Sequence, residues 1–518
     1  MNGPWLPVLT ALPLVGAIVL AFLPKGADRL AKLLALGWSL AVLVLTIVVC
    51  ANFDPDGDRF QFVTSYTWIP QFGTRLAFGV DGIALVMLAL IAVLTPIVLL
   101  ASWHESGQGR RSVKTYYALM LALQTCMIGV FVATDVFFFY VFFEAMLVPM
   151  YFLIGSYGGP QRQYAAVKFF LYSLVGGLFM LASVIALYVV SVRELGEGTF
   201  AFDKLAGMDM STTAGRWIWL GFFVAFAVKA PLFPFHTWLP DAGGQAPIGA
   251  AVLLVGVLDK VGTFGFLRYN LPLFPEASRF FAPLVIVLGI IGILYAALLA
   301  IGQNDMKRLV SYTSVAHFGF IAIGVFAFTT QGGSGAVLYM VNHGIATGAL
   351  FLVVGFLIAR RGSALIADYG GVGRLVPWIY GAFFITGMAS LALPMTNSFV
   401  SEFLVLLGVF SRNPVAGVVA TLGIVVAALY VLWMIQRTMH GPVNPTLMGE
   451  AIDDEGKPKW RDLSRREAWV IAPLLVLIIG LGVYPKPLLD VINPAVKATL
   501  TDVGKQDPQP TEVAGGNR

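Results

Sequence analysis

The sequence predicts an all-α, polytopic membrane protein with about fourteen transmembrane helices. Composition is the first reason. Of 518 residues, 58% are hydrophobic and 12% charged, and the mean hydropathy is +0.83; a soluble domain carries about twice that charged share. The second reason is a recurrence of apolar runs of about 20 residues, the length that crosses a hydrocarbon core of roughly 30 Å. The third is that the few ionisable residues left inside those runs fall at similar depths.

The runs begin near Trp5, Ala31, Phe78, Val113, Asp135, Tyr164, Trp217, Pro247, Phe281, Arg308, Gly335, Val376, Pro414 and Glu467. An even number of crossings puts both termini on one side. The basic residues choose the side. Lys25, Arg29 and Lys32, then Arg110, Arg111 and Lys114, Arg162, Lys307 and Arg308, Arg360, Arg361 and Arg374, and the stretch from Arg437 to Arg466 all fall on alternate loops. The positive-inside rule makes these loops cytoplasmic and both termini external. The first run, WLPVLTALPLVGAIVLAFLP, has its basic residues after it, which favours an anchor over a cleaved leader.

Cys50 and Cys126 lie in apolar runs and define neither a disulfide framework nor a metal site. The positive charge is spread over membrane loops, so nucleic acid is no partner. Residues 52–77 and 191–215 read as polar external loops with short surface elements, and residues 491–518 as a poorly ordered polar tail.

Two runs are interrupted, one at Pro231 and Pro234 and the other at Pro394 in LALPMTNSFVSEF. Interrupted helices are tolerated where protein or a hydrated cavity satisfies the freed backbone groups. The carbonyls freed by Pro231 and Pro234 are expected to hold water beside Lys229. Two breaks five crossings apart suggest two inverted five-helix repeats. The expected division is residues 1–110 (three helices), 111–270 (first repeat), 271–440 (second repeat) and 441–518 (last helix and tail).

An ionisable group at the centre of a membrane helix costs about 2.5–3.5 kcal/mol on insertion scales. Glu144, Lys229, Lys260, His317 and His343 each lie about 12–20 Å along their helices at about 1.5 Å per residue. Glu402 stands just past the second break. Singly, each has an ordinary explanation: a structural Glu144–Lys229 pair, a satisfied core histidine, a Lys168 that snorkels to the interface. Asp259 is adjacent to Lys260, but neighbouring helix positions point about 100° apart and do not naturally face each other. Together, six titratable groups beside two broken helices form the file of acids and bases that proton relay requires.

The stretch KAPLFPFHTWLPDA, followed by QAPIGAAVLLVGVLDKVGTFGFLRYNLPLFP, and the stretch NDMKRLVSYTSVAHFGF at 304–320 resemble the antiporter-like membrane subunits of respiratory complex I. Those subunits are related to subunits of multi-subunit sodium/proton antiporters. The resemblance covers nearly the whole chain and is strongest over residues 110–440. It implies a proton channel with a central hydrophilic axis in a bacterial plasma membrane, driven by quinone reduction elsewhere in the complex. Glu144 is then the acid paired with Lys229, Lys260 the central relay lysine, His317 and His343 the onward links, and Glu402 the end of the axis towards the outside. His236 falls at the cytoplasmic end of the first break.

Glu402 stands where the sister subunits usually carry lysine. Those sisters, L and N, are the expected partners within the membrane arm, along with the lipid bilayer. NADH, FMN, iron–sulfur clusters and quinone belong to other subunits. This chain has no cysteine cluster, no GxGxxG after a strand and no P-loop, so it is expected to hold no cofactor or metal. Two positions depart from the relatives: Gly243 replaces a usual histidine, and Asp259 an apolar residue. Two other readings are a cation/proton antiporter or membrane-bound hydrogenase subunit with the same channel, and a passive membrane scaffold.

Overall fold

The structure is a computed structural model that describes residues 3–104, 111–448, 451–453 and 459–508. Arg110 and residues 509–518 of the expected tail lie outside the described residues. Helices α1 (Trp5–Phe22) and α2 (Asp28–Ala51) open the chain and are followed by a hairpin of strands β1 (Gln61–Ile69) and β2 (Thr74–Val80). Then come α3 (Gly82–Ala101), α4 (Val113–Val132), α5 (Val136–Ala145), α6 (Leu147–Tyr157) and α7 (Arg162–Leu195). After the short α8 (Phe202–Leu205), the first broken helix comprises α9 (Thr212–Lys229) and α10 (Trp238–Gln245). Helices α11 (Ile248–Leu253), α12 (Lys260–Gly265) and α13 (Leu271–Leu273) form one crossing, joined by π-helical turns at Leu254–Leu258 and Phe266–Asn270. Helices α14 (Pro275–Ile301), α15 (Met306–Phe326) and α16 (Thr330–Arg361) precede the second broken helix, α17 (Pro377–Ser390) with α18 (Asn397–Arg412). Helices α19 (Pro414–Met439), α20 (Arg465–Val483) and α21 (Lys486–Asp502) close the chain.

Twelve of the described spans are long and apolar enough to cross a membrane. The two broken helices add two more crossings, which gives the fourteen read from the sequence. Side chains cap the ends where the chain turns: Asp81 accepts from Ala84 N, Asp135 from Phe138 N and Asp305 from Arg308 N, and Ser464 with Glu467 forms a capping box. Such caps contribute about 1 kcal/mol each. The third crossing starts at Gly82 rather than near Phe78, because Phe78 to Val80 pair in the hairpin with residues of β1.

The neighbour relations repeat. In the set α4 to α13, the α5/α6 crossing packs on α4 and α7, α7 packs on the broken helix α9/α10, and α9 packs on α12. In the set α14 to α19, α15 packs on α14 and α16, α16 packs on the broken helix α17/α18, and α18 packs on α19. Each set holds five crossings, an odd number, so the second enters from the opposite face of the first. Most of the helices at the centre of the bundle, α12, α15 and α16 among them, are buried almost all round, whereas α1, α7, α14 and α19 expose apolar faces where lipid would lie.

Residues 491–508 are not a loose tail. The stretch PKPLLDVINPAVKATL places Ile492, Ala495, Val496, Thr499 and Leu500 on one buried face of α21, an amphipathic period too short and too polar on its other face to span. The helix lies at the hairpin end, where Gly82 meets the Val491 carbonyl and Gly333 meets Val496. Asp502 pairs with Arg59 at 2.6 Å, Arg279 donates to the Val503 carbonyl at 2.5 Å, and Asp507 accepts from Thr330 N at 2.7 Å. Burying a side chain of valine size is worth about 1.5–3 kcal/mol. Val496→Asp is therefore expected to lift α21 from the bundle, read as new protease cleavage between Tyr484 and Lys505 with the remaining helices intact.

Candidate functional site

Lys260 is fully buried at the first turn of α12, immediately after a π-helical turn. A π turn shifts the i→i−4 ladder by one residue and exposes a carbonyl, which is why such turns gather at functional positions. The Lys260 ammonium takes that opening and donates back to the Val255 carbonyl. It also lies 2.5 Å from His343 Nδ1 on α16 and 3.1 Å from Asp259 Oδ1. The expectation that Asp259 and Lys260 point apart is overturned: the lysine folds back along its helix, and the two buried side chains make an ion pair. The pair is close but not aligned as a hydrogen bond, so both Asp259 oxygens lack a hydrogen-bonding partner.

From Lys260 the polar line continues through α15 and α16. The His343 and His317 rings lie edge to face with centroids 5.1 Å apart, and the Tyr339 ring is 5.6 Å from His317. Tyr339 donates its hydroxyl to Glu402 Oε2 at 3.2 Å. Glu402 is 5% exposed on α18. The Pro394 break just before it is tightly held. Ala392 and Met395 both adopt left-handed φ angles of 59° and 72°, which cost non-glycine residues about 1–2 kcal/mol each. Asn342 donates to the Asn397 carbonyl at 2.7 Å and Asn397 donates to the Asn342 carbonyl at 3.1 Å, a reciprocal clasp of α16 on the start of α18.

Glu144 and Lys229 face each other as charged neighbours, without an ion pair or hydrogen bond between them among the described residues. Lys229 is the last residue of α9, and its ammonium lies 4.7 Å from the Phe143 ring centroid. Glu144 stands where α5 yields to α6. Pro149, four residues beyond Ala145, has no N–H to offer the Ala145 carbonyl, which accounts for the interruption. Its carboxylate occupies the space in front of Gly177 on α7, where a Cβ would overlap Glu144 Oε1.

At Pro231 the first break differs from the expectation. The Ala227 carbonyl, freed by Pro231, accepts from Leu232 N at 2.9 Å, and the Val228 carbonyl accepts from Trp238 Nε1 at 2.8 Å. Protein donors thus occupy the carbonyl freed by Pro231 and the Val228 carbonyl that precedes Lys229. The peptide from Phe233 to Pro234 is cis. His236 is buried between Phe233 and Tyr295. Lys168 does not merely snorkel: it pairs with Asp241 at 2.7 Å, and Asp241 also pairs with Arg308 at 2.5 Å. Asp241 thereby ties α7 and α15 to α10. A Cβ at Gly243 would displace Ser311 Oγ from its hydrogen bond to the Lys307 carbonyl.

The profile of the family "NADH:quinone oxidoreductase/Mrp antiporter, TM" matches residues 133–427. That span is more than half of the chain and contains every relay candidate. This chain belongs to that family. A family relative, NADH-quinone oxidoreductase subunit M of Mycobacterium tuberculosis, is 48% identical over 98% of this chain and 96% of its own length. A chain of respiratory complex I from Thermus thermophilus matches with a TM-score of 0.85 and 31% identity, covering 96% of this chain and all of that one. A chain of the Mrp complex from Dietzia shares the fold, with a TM-score of 0.82 at 21% identity over 96% of this chain and 99% of its own.

For this member of the NADH:quinone oxidoreductase/Mrp antiporter family, sequence reasoning missed Asp241, Tyr339, Asn342, Asn397 and the buried Asp81–Arg268 pair, 2.8 Å apart. A signal existed for Tyr339, which precedes His343 by four residues and so shares its helix face. Arg268 sits in the second π-helical turn, which the sequence does not announce. No cluster of three or more histidine, cysteine or acidic side chains that could hold a metal occurs among the described residues. Gly177→Ala is expected to evict the Glu144 carboxylate from α7. A structure of that variant checks this, with α7 unmoved and Glu144 in a different rotamer.

Proposed function

We propose that this chain is the M-type membrane-arm subunit of a bacterial NADH:quinone oxidoreductase and that it translocates protons through its buried ionisable residues. The single observation that carries the reading is the buried run from Lys260 through His343, His317 and Tyr339 to Glu402, which leads from α12 in the first five-helix set through the second set to α18. Acids and bases placed within the membrane interior and aligned on one another are costly to insert and mark a proton path. Family membership and the close likeness to complex I chains support the same assignment.

In this reading Glu144 and Lys229 are the coupling element. Moving a carboxylate towards or away from a desolvated ammonium changes which form of the lysine is favoured. The absence of a hydrogen bond between them suits that motion, since Glu144 is held by shape at Gly177 rather than by a bond to Lys229. Contact between α12 and α9 at Gly262, against the Phe226 carbonyl and Ala230 N, lies beside Lys229 and brings the two lysine-bearing helices together. Lys260 then passes a proton from Nζ to His343 Nδ1, and His343 releases one from Nε2 towards His317. Tyr339 and Glu402 complete the path. Asp241, with Lys168 and Arg308, holds the basic end of the first break in place and His236 lines it. Quinone reduction in other subunits supplies the energy, and NADH, FMN and iron–sulfur clusters stay in those subunits.

The basic loops set the orientation, with both termini outside an inner membrane and the sister subunits L and N as neighbours in the arm. The two repeats correspond to residues 111–270 and 271–440, between a three-helix N-terminal unit and a C-terminal unit that ends in α21. A passive scaffold would have no need of a polar line through its most buried helices.

Glu144→Ala or Lys229→Ala is expected to abolish most NADH-driven proton translocation in reconstituted vesicles while the complex still assembles. Failed assembly, with any assembled fraction pumping normally, would show the pair to be structural only.

A further inference from the structure

The geometry points to Asp259 as a second proton-holding residue of the relay, which reloads Lys260 after that lysine has given a proton to His343. This inference rests on the relay reading and adds a residue whose role the family likeness leaves open.

Asp259 is fully buried, its Oδ1 is 3.1 Å from Lys260 Nζ, and both of its oxygens lack hydrogen-bonding partners. Lys260 has three acceptors around one ammonium: the Val255 carbonyl, His343 Nδ1 and this carboxylate. The carbonyl is fixed main chain and cannot take a proton. The histidine is the acceptor on the outgoing side. Among the described residues, Asp259 is therefore the one contact of Nζ, other than His343, that can bind and return a proton.

Charge balance makes the same demand. Among the described residues, Lys260 is the charged group that acts on Asp259. The other titratable groups on the elements packed around it are His343 and Tyr339 on α16, His317 and Tyr312 on α15, Lys229 on α9, Arg268 and Tyr269 in the second π-helical turn, and Cys126 with the tyrosines of α4, besides Lys114, Arg216, Lys307, Arg308, Arg360 and Arg361 at helix ends; α3 brings none within its apolar run. When Lys260 becomes a neutral amine, the carboxylate would remain as an unbalanced anion in the bundle interior, a state that buried pairs avoid. It must take up a proton.

The steps balance without moving an electron. The N–H bond of Lys260 breaks as His343 Nδ1–H forms, and His343 loses its Nε2 proton towards His317. Asp259 Oδ–H forms with a proton given up by an N–H bond of the Lys229 ammonium, which is left a neutral amine. That O–H bond then breaks as the Lys260 N–H bond re-forms.

The test uses the whole complex in vesicles, driven by NADH and a quinone, with proton translocation measured over a pH series. It is paired with infrared difference spectra between resting and turning-over enzyme. Asp259→Asn is expected to lose translocation to the same extent as Lys260→Met and to lack a carboxylic-acid C=O band that the unaltered complex gains or loses during turnover. Asp259→Glu is expected to keep translocation and to shift that band. Normal pumping in Asp259→Asn beside a defective Lys260→Met would overturn the inference alone. Normal pumping in Lys260→Met would overturn the relay reading and the inference with it. If Asp259→Asn fails to assemble, Asp259→Glu decides: an unshifted band means that Asp259 is a fixed counter-ion and not a proton carrier.

Discussion

A lysine ammonium with no exposure to solvent must find every partner inside the protein. Around Lys260 those partners are a main-chain carbonyl released by a π-helical turn, a carboxylate from the adjacent residue and a histidine from a facing helix. Each imposes a further condition. The turn must break the regular ladder, Asp259 must lie on the inner face, and α16 must approach closely enough to present His343. Much of the bundle's centre follows from those conditions, including the glycine contacts that bring helices together. Gly344 lies against the Gly256 carbonyl, so α16 touches the π-helical turn itself at the residue beside His343. Small residues at such crossings let backbones meet where lipid offers no hydrophobic drive for helix association.

A second regularity follows. Several buried charges stand where a helix is interrupted. Glu144 sits at the α5/α6 junction, Lys229 ends α9, and Lys260 begins α12. Glu402 follows the Pro394 break. An interruption supplies free backbone groups and room for a long side chain to turn, and the charge in turn gives those groups partners. Lys229 at a helix C-terminus also meets the negative end of the helix dipole. The breaks and the charges are therefore one design, repeated in the two five-helix sets with different residues: a lysine in the first and a glutamate in the second.

The ends of the bundle restrain what the centre can do. At the basic end, Asp241 fixes α10 between Lys168 and Arg308, and at the other end the hairpin and α21 lie across several crossings. The Asp81–Arg268 pair joins the start of α3 to the second π-helical turn of the Lys260 crossing. Breaking a buried pair of that kind by removing one partner costs about 3–5 kcal/mol. Between these restraints Glu144 Oε1, Lys229 Nζ and both Asp259 oxygens are buried without hydrogen-bond partners.

The amino-acid sequence by itself determined the class of molecule, the fourteen crossings, the two breaks and the depth of the ionisable residues. All of these follow from local quantities: hydropathy over a span, proline's missing donor, and a fixed rise per residue. It also placed Glu144 opposite Lys229 through the family likeness, but not the absence of a hydrogen bond between them. Only the tertiary structure decided that Lys260 turns back onto Asp259, that Tyr339 hands the line to Glu402, that Asp241 claims Lys168, and that α21 packs instead of trailing. Those outcomes depend on which helix faces which and on where a π turn shifts the register. The last three are set by contacts between residues tens to hundreds of positions apart, and the Lys260 turn by a π-helical shift and by His343, 83 positions away; no sequence window shows them.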